Sequence, residues 1–460
     1  MTETRRIFGT DGIRGKANQF PMTVETALQL GRALAFMVTE KKIGRFKEGH
    51  RPRIVIGKDT RLSGYMIEQA IASGVCSMGV DVMLVGPLPT PGVAFITKSM
   101  RADAGIMVSA SHNPFDDNGI KIFGQDGFKL PDQVELEIEE LILGDRLNDV
   151  RPTGVHVGRA RRIDDAVGRY VVYLKNIFPA DLTLDGYRIV VDCAHGAAYK
   201  VAPDVFRELG ADVVTVGVEP NGTNINDQVG SLYPENIQEI VKEHKAHLGI
   251  ALDGDADRVI IVDEKGQTID GDAVMAVCAL EAARKGTLHN DTVVTTVMSN
   301  VGLEKCLKEH DLKMVRTQVG DRYVVEEMRQ TGCNLGGENS GHIILLDHST
   351  TGDGIVAALY LLSISVRDQK SVSELASVFV RSPQKLKNIK IEKKIPLDDL
   401  PEFQASVREV ERELGDSGRV LVRYSGTEMK ARVMVEGDCE ADITRHANHL
   451  AEVLQQSLEA

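Results

Sequence analysis

The sequence predicts an α/β protein in which three α/β units follow one another and a small α+β unit closes the chain. Three observations predict it. The chain has 460 residues, which exceeds the roughly 100–200 of an ordinary single domain. Short apolar runs alternate with helical periods three times over. After the third round the composition changes: charge becomes dense from Lys385 to Lys394, and Pro396 and Pro401 punctuate the chain.

The elements follow in order. Arg53-Ile-Val-Ile56 reads as a buried strand ended by Gly57. Apolar residues then recur at helical spacing from Ser63 to Met78, and Val80 to Val85 reads as the next strand. This is a βαβ unit, which calls for parallel strands with helices on the faces. Gly105 to Val108 is a further strand that breaks off into Ser-Ala-Ser-His-Asn-Pro. The second unit reads as the strand Arg188–Asp192, a helix near 199–209, a strand near 213–216, a helix near 235–244 and the strand Leu248–Leu252. The third has a helix at 272–284, a strand at 292–297 and a helix near 354–366. Ser371 to Gln384 is the expected linker. A helix at 403–414, strands at 419–423 and 432–436 and a final helix complete the chain. The domains are therefore expected at 1–160, 161–262, 263–375 and 376–460.

A net charge of −13 with no long Lys/Arg block argues against nucleic acid as partner. It leaves anionic small substrates open, since local groups dominate inside a cleft. The six cysteines never show CxxC spacing, so reduced thiols are expected rather than zinc or disulfides. No apolar stretch reaches the length of a membrane span and no signal-peptide core is present. A cytoplasmic protein is expected.

Five short runs carry chemistry. Ser109-Ala-Ser-His-Asn-Pro114 follows a buried strand, where α/β sheets place ligands. Alone it reads more readily as an ordinary turn. Asp253-Gly-Asp-Ala-Asp-Arg258 also follows a strand and sets three carboxylates at alternate positions. Their mutual repulsion calls for a hard divalent cation, Mg²⁺ or Ca²⁺ rather than zinc. An EF-hand does not fit, because its closing Glu could only be Glu264 and Val259 to Val262 read as a strand. Gly336-Gly-Glu-Asn-Ser-Gly-His342 offers Glu338 to two neighbouring sugar hydroxyls, with Ser340 beside it; a Gly-rich hairpin explains it as well. Arg423-Tyr-Ser-Gly-Thr-Glu428 followed by Arg432 can cradle a phosphate, or form surface ion pairs. Phe8-Gly-Thr-Asp-Gly-Ile-Arg-Gly15 brings Arg14, which can face an anion, in what is otherwise a plain turn.

Together and in this order, the five resemble the α-D-phosphohexomutase family over almost the whole chain. Phe8–Gly15, the Gly336–His342 run and Val319-Gly-Asp-Arg-Tyr-Val324 look most like its bacterial amino-sugar branch. The resemblance implies three α/β domains with mixed sheets and a fourth α+β domain like the TATA-binding protein, around a central cleft. It implies interconversion of glucosamine 6-phosphate and glucosamine 1-phosphate, with a hexosamine phosphate as partner and a monomer or homodimer as assembly. Ser111 matches the phosphoserine; Asp253, Asp255 and Asp257 match ligands of Mg²⁺, completed by the Ser111 phosphoryl oxygen. Glu338 and Ser340 match the sugar loop, Arg423, Ser425, Gly426, Thr427 and Arg432 the phosphate site, and Lys121 a lysine near the phosphoserine. Met429 stands where the family usually has proline, so one dihedral of that loop is not fixed.

On this expectation the phosphoryl group of Ser111 passes to the sugar, the bisphosphate turns round, and its other phosphate returns. Arg258, Lys121 and His112 stabilise the developing charge, and one of these or Arg14 helps move protons. A second anion site in the last domain predicts opening and closing of that domain. The rivals are phosphomannomutase/phosphoglucomutase activity, a phosphatase with an aspartate nucleophile in the Asp253 run, and a non-catalytic sugar-phosphate sensor.

Overall fold

The computed structural model describes residues 6–9, 11–40, 42–45, 50–424 and 429–459. Ile54-Val55-Ile56 lies inside a seven-stranded sheet and is fully buried, as a β-branched run without polar alternation requires. Its strand, Arg53–Lys58, pairs in parallel with Asp81–Pro87 and with Ala104–Val108. The helix Gly64–Ser77 makes the crossover between the first two, so the expected βαβ unit is present. The strand runs through Gly57 rather than ending there.

The other half of this sheet reverses direction. Asp117–Gly124 returns antiparallel to Ala104–Val108, and Gly12–Lys16 is antiparallel to Asp117–Gly124. The serine-containing loop makes that reversal. The sheet is therefore mixed. The second sheet has five strands, in the order Thr268–Ile269, Val259–Asp263, Leu248–Leu252, Arg188–Asp192 and Asp212–Val216. The third has four: Lys313–Thr317, Thr292–Thr296, Leu335–Gly337 and Ile343–Leu345.

The fourth unit is a three-stranded antiparallel sheet, with Lys430–Glu436 between Gln384–Lys390 and Arg419–Tyr424. Ala431, Val433 and Val435 point alternately inward and meet Phe403, Val410 and Leu414 of one helix. Ile443, Ala447, Leu450 and Leu454 of the last helix close the same core. This core is its own. The first three units instead share one apolar cluster that runs from Val55 through Tyr170 and Ile250 to Leu362. The fourth joins the third through polar groups: Glu436, fully buried, accepts from Asn300 Nδ2 at 3.1 Å, Val301 N at 3.2 Å and Arg419 Nε at 2.5 Å. A polar joint between separate cores is the usual place for relative motion.

The expected linker at Ser371–Gln384 is not structureless. Val372–Ala376 is a short helix, capped reciprocally by Ser371 and Glu374. The Lys-rich run after it contains the edge strand Gln384–Lys390, where charge discourages pairing with other chains. No helix among the described residues is long and apolar enough to cross a membrane.

Candidate active site

Four loops that leave strand ends converge, and each owes its position to a buried strand before it. Val108 leads into the serine loop, Leu252 into the aspartate loop, Lys58 into Asp59 to Arg61, and Gly337 into Glu338. Ser111 is 1% exposed and has φ 53, a left-handed backbone that costs a non-glycine residue about 1–2 kcal/mol. Surrounding bonds hold it there. Ser109 Oγ accepts from Ser111 N at 2.9 Å. Arg61, fully buried, donates to the carbonyls of Ser111 and Asn113 at 2.8 Å each, and to that of Asp117 at 3.1 Å. Asp59 fixes Arg61 through Nε at 2.8 Å, and Asn226 Nδ2 donates to the Ser111 carbonyl at 2.9 Å.

The result is contact across two domains. Ser111 Oγ donates to Asp253 Oδ2 at 2.5 Å, and His112 Nδ1 lies 3.3 Å from the same hydroxyl. The loops approach so closely that a Cβ on Gly254 would stand 2.6 Å from the Ser111 carbonyl oxygen. Lys121, 1% exposed, donates to Asp255 Oδ2 and Asp257 Oδ2 at 2.9 Å each. Thr90 Oγ1 donates to Asp255 at 2.5 Å.

Asp253, Asp255 and Asp257 each present an oxygen within 4.8 Å of the others, all buried. Asp255 Oδ1 and Asp257 Oδ1 are buried and accept no hydrogen bond among the described residues. Buried acceptors without donors are costly, and an oxygen-only set of this kind fits a hard divalent cation. The electrostatics agree. Burial, then Asp257 and Asp255, push the Asp253 carboxyl well above its usual value. Burial also pushes Asp257 upward, but Lys121 and His342 outweigh it and hold that carboxyl well below the usual range.

The neighbouring cations are held charged. Burial opposes the charge on Lys121, but Asp11, Asp255 and Asp257 overcome it and raise its pKa well above normal. Arg258 and Arg14 are likewise raised against burial, by Asp257 and Asp253 and by Asp11 and Asp255 respectively. His112 goes the other way: burial, Arg258 and Arg14 push it down to about 4, so it is neutral at pH 7.

Beside this cluster opens a cleft of about 520 Å³, lined by Arg6–Gly9, Asp11, Arg14, Arg258, Val319–Asp321 and Glu338 among others. The Glu338 run is indeed a hairpin, since Gly337 pairs with Ile343. Its turn nevertheless faces the cleft: Arg258 Nη2 is 3.9 Å from Glu338, and Ser340 Oγ donates to Glu338 Oε2 at 3.1 Å. Arg423 and Arg432 do not line it. They face each other across antiparallel strands of the fourth unit, and burial followed by Arg432 lowers the pKa of Arg423. Ser425, Gly426 and Thr427 lie outside the described residues. The Met429 carbonyl accepts from Ile391 N at 3.1 Å, which pins the exit of that loop through main chain instead of proline.

Sequence reasoning missed Asp59, Arg61, Asn226, Asp11, Lys129, Asp321 and the ring of His342. Lys129 joins Asp11 and Asp321, the latter at 2.6 Å. His342 lies 3.6 Å from Asp257 and 3.4 Å from Asp321. A signal existed for Arg61, because Lys58-Asp-Thr-Arg61 packs charge at the end of a buried strand.

The chain matches four consecutive domain models of one family, phosphoglucomutase/phosphomannomutase: α/β/α domains I, II and III at residues 5–148, 168–266 and 270–381, and the C-terminal domain at 386–453. It belongs to that family, the phosphohexomutases, which are isomerases. Among its relatives, a protein of Syntrophotalea carbinolica named phosphoglucosamine mutase is 59% identical over 456 residues, covering 99% of this chain and 98% of that one. One of the same name from Anaeromyxobacter is 59% identical over 458 residues, covering 99% and 96%. The fold is that of a phosphoglucomutase/phosphomannomutase family protein from Burkholderia thailandensis, with TM-score 0.79 at 24% identity over 98% of this chain and 97% of that one. It is also that of an Aspergillus fumigatus N-acetylphosphoglucosamine mutase solved with GlcNAc-6P and magnesium, with TM-score 0.64 at 17% identity over 99% and 97%.

Proposed function

We propose that the chain is a phosphoglucosamine mutase of the cytoplasm, interconverting glucosamine 6-phosphate and glucosamine 1-phosphate for UDP-N-acetylglucosamine and cell-wall synthesis. The observation that carries the reaction is the contact of Ser111 with the buried aspartate cluster; identity of 59% across nearly the whole chain supports the choice of sugar. The domain divisions at residues 160, 262 and 375 belong to the same proposal.

Ser111 Oγ carries the phosphoryl group at the start of each cycle. The P–Oγ bond breaks as a free hydroxyl of the bound sugar monophosphate attacks phosphorus, giving a bisphosphorylated sugar. That sugar turns over, and its other phosphoryl group returns to Oγ. Mg²⁺ held by Asp253, Asp255, Asp257 and the Ser111 phosphoryl oxygen would supply charge neutralisation to the transferring group. Lys121, Arg14 and Arg258 are held protonated and act as fixed positive charge. His112, neutral and 3.3 Å from Oγ, is left among the four as the group able to pass the proton lost by the attacking sugar hydroxyl to the departing Oγ, and back again when the second phosphoryl group returns. Glu338 and Ser340 hold sugar hydroxyls. Arg423, Ser425, Gly426, Thr427 and Arg432 hold the distal phosphate once the fourth domain closes. Two guanidinium groups directly opposite each other repel, and an anion between them relieves that.

Turnover on glucosamine 1-phosphate and glucose 1-phosphate tests the reading. A clear preference for the amino sugar is expected. Equal efficiencies would leave the broader phosphomannomutase/phosphoglucomutase activity instead.

A further inference from the structure

We propose that Asp321 is the specificity-determining residue that reads the C2 ammonium group of the hexosamine phosphate. This rests on the glucosamine reading above.

Asp321 opens the helix Asp321–Thr331 and comes from the Val319–Val324 run, to which the reaction assigns no task. It lines the cleft beside Arg258, Gly320 and Glu338. Among the described residues only one of its oxygens is used. Oδ2 accepts from Lys129 Nζ at 2.6 Å and lies 3.4 Å from His342 Nε2. Oδ1 makes no hydrogen bond among the described residues and is not sealed from solvent, since the side chain keeps 11% of its exposure. Burial pushes the carboxyl upward, but Lys129 and His342 together outweigh it and lower its pKa, so the second oxygen belongs to a carboxylate.

The sugar's chemistry brings the amine within reach in one of its two orientations, since turning the sugar over exchanges O3 with O4 at Glu338 and carries C2 to the opposite side. In a glucosamine phosphorylated at C1 or C6, the hydroxyls on C3 and C4 are the sole neighbouring pair that cannot carry the transferred group. If Glu338 takes that pair, the C2 nitrogen is one carbon away. Gly320 N donates to Glu338 Oε1 at 3.2 Å, so the Asp321 carboxylate stands one residue from a peptide bonded to the hydroxyl-binding group. A charge-assisted bond to ammonium is stronger than one to the hydroxyl of glucose.

The test compares wild type with Asp321→Asn on glucosamine 1-phosphate and glucose 1-phosphate, both primed with sugar bisphosphate. The ratio of kcat/KM on the two sugars should fall by about tenfold or more in the variant, whatever loss is common to both. Asp321→Ser repeats the comparison should the Asn variant unfold. An equal loss on both sugars would reduce Asp321 to a structural partner of Lys129 and overturn the proposal. If wild type itself shows no preference, the glucosamine reading fails; if wild type discriminates and both variants still do, this inference alone falls.

Discussion

Ser111 Oγ and Asp253 Oδ2 lie 2.5 Å apart although 142 residues separate them in the chain. A phosphoryl group on that oxygen adds nearly two negative charges beside a buried carboxylate. The pair is tolerable only with a cation between them, so carrier and metal site form one unit. Two outcomes follow. Intact-mass measurement of the purified protein should show a fraction heavier by one phosphoryl group, absent in Ser111→Ala, which should lose nearly all mutase activity. Chelation should abolish activity and added Mg²⁺ restore it. A Ser111→Ala variant that keeps most of its activity would favour an aspartate-nucleophile phosphatase.

Arg61 reaches the reaction through shape. Its guanidinium binds several carbonyls of the loop that holds Ser111 in a left-handed conformation. Arg61→Ala should misplace Oγ by an ångström or so and reduce kcat by about a hundredfold, with KM little changed. Steady-state kinetics and thermal unfolding together check this. An unaltered kcat would mean that the turn residues alone shape the loop.

The difference between Ser111 and Arg61 shows what was legible beforehand. Ser111, the aspartates and Glu338 lie in short runs at the ends of apolar strands, where local pattern and chemistry coincide. Lys129 does not announce itself, because a single charged residue reads as solvated surface; Arg61 and Asp321 stand in legible runs, but their partners are set by tertiary packing. Arg322 to Glu135 at 2.6 Å joins residues 187 apart, a pairing set by how the first and third domains pack. The mixed character of the sheets came from the resemblance and not from the local pattern, because Asp117–Gly124 is a strand whose direction depends on the serine loop. The small helix at Val372–Ala376 was legible in principle, since Ser371 and Glu374 spell a capping box.

Asp272 should give domain three a stability that rises as pH falls. Burial, opposed by a 2.8 Å bond from Asn300 N, pushes its pKa from 3.8 to about 6. The folded state therefore binds this proton more tightly than the unfolded state does. The burial penalty is present above pH 6 and disappears as pH falls toward 4. At 1.36 kcal/mol per pKa unit it reaches about 3 kcal/mol. Asp272→Asn should be the more stable protein at pH 8 by up to about that amount, with the difference vanishing near pH 4. Urea unfolding at several pH values reads it directly; a difference constant with pH would show that Asp272 does not titrate in this range.

Glu436 holds the joint between the third and fourth domains. It is fully buried at the end of the strand that carries Arg432, and its partners are Asn300 and Val301 at the start of the helix Val301–Glu309, and Arg419. Asn300 also bonds Ser382 through its side chain, donating to the carbonyl at 3.1 Å and accepting from N at 2.9 Å. Removing the carboxylate leaves Arg419 buried in part without its partner, together with two main-chain and amide donors. Such a break costs about 3–5 kcal/mol. Because the fourth domain has a separate core, the cost should fall on docking rather than on folding. Glu436→Ala should keep both domains folded by far-UV circular dichroism yet become sensitive to protease near residues 381–384. Its kcat should fall, since distal-phosphate binding requires the fourth domain to close from a defined position. A variant that instead loses the fold of the last domain outright would show that its own apolar core is insufficient, and that the joint stabilises the domain as well as aiming it.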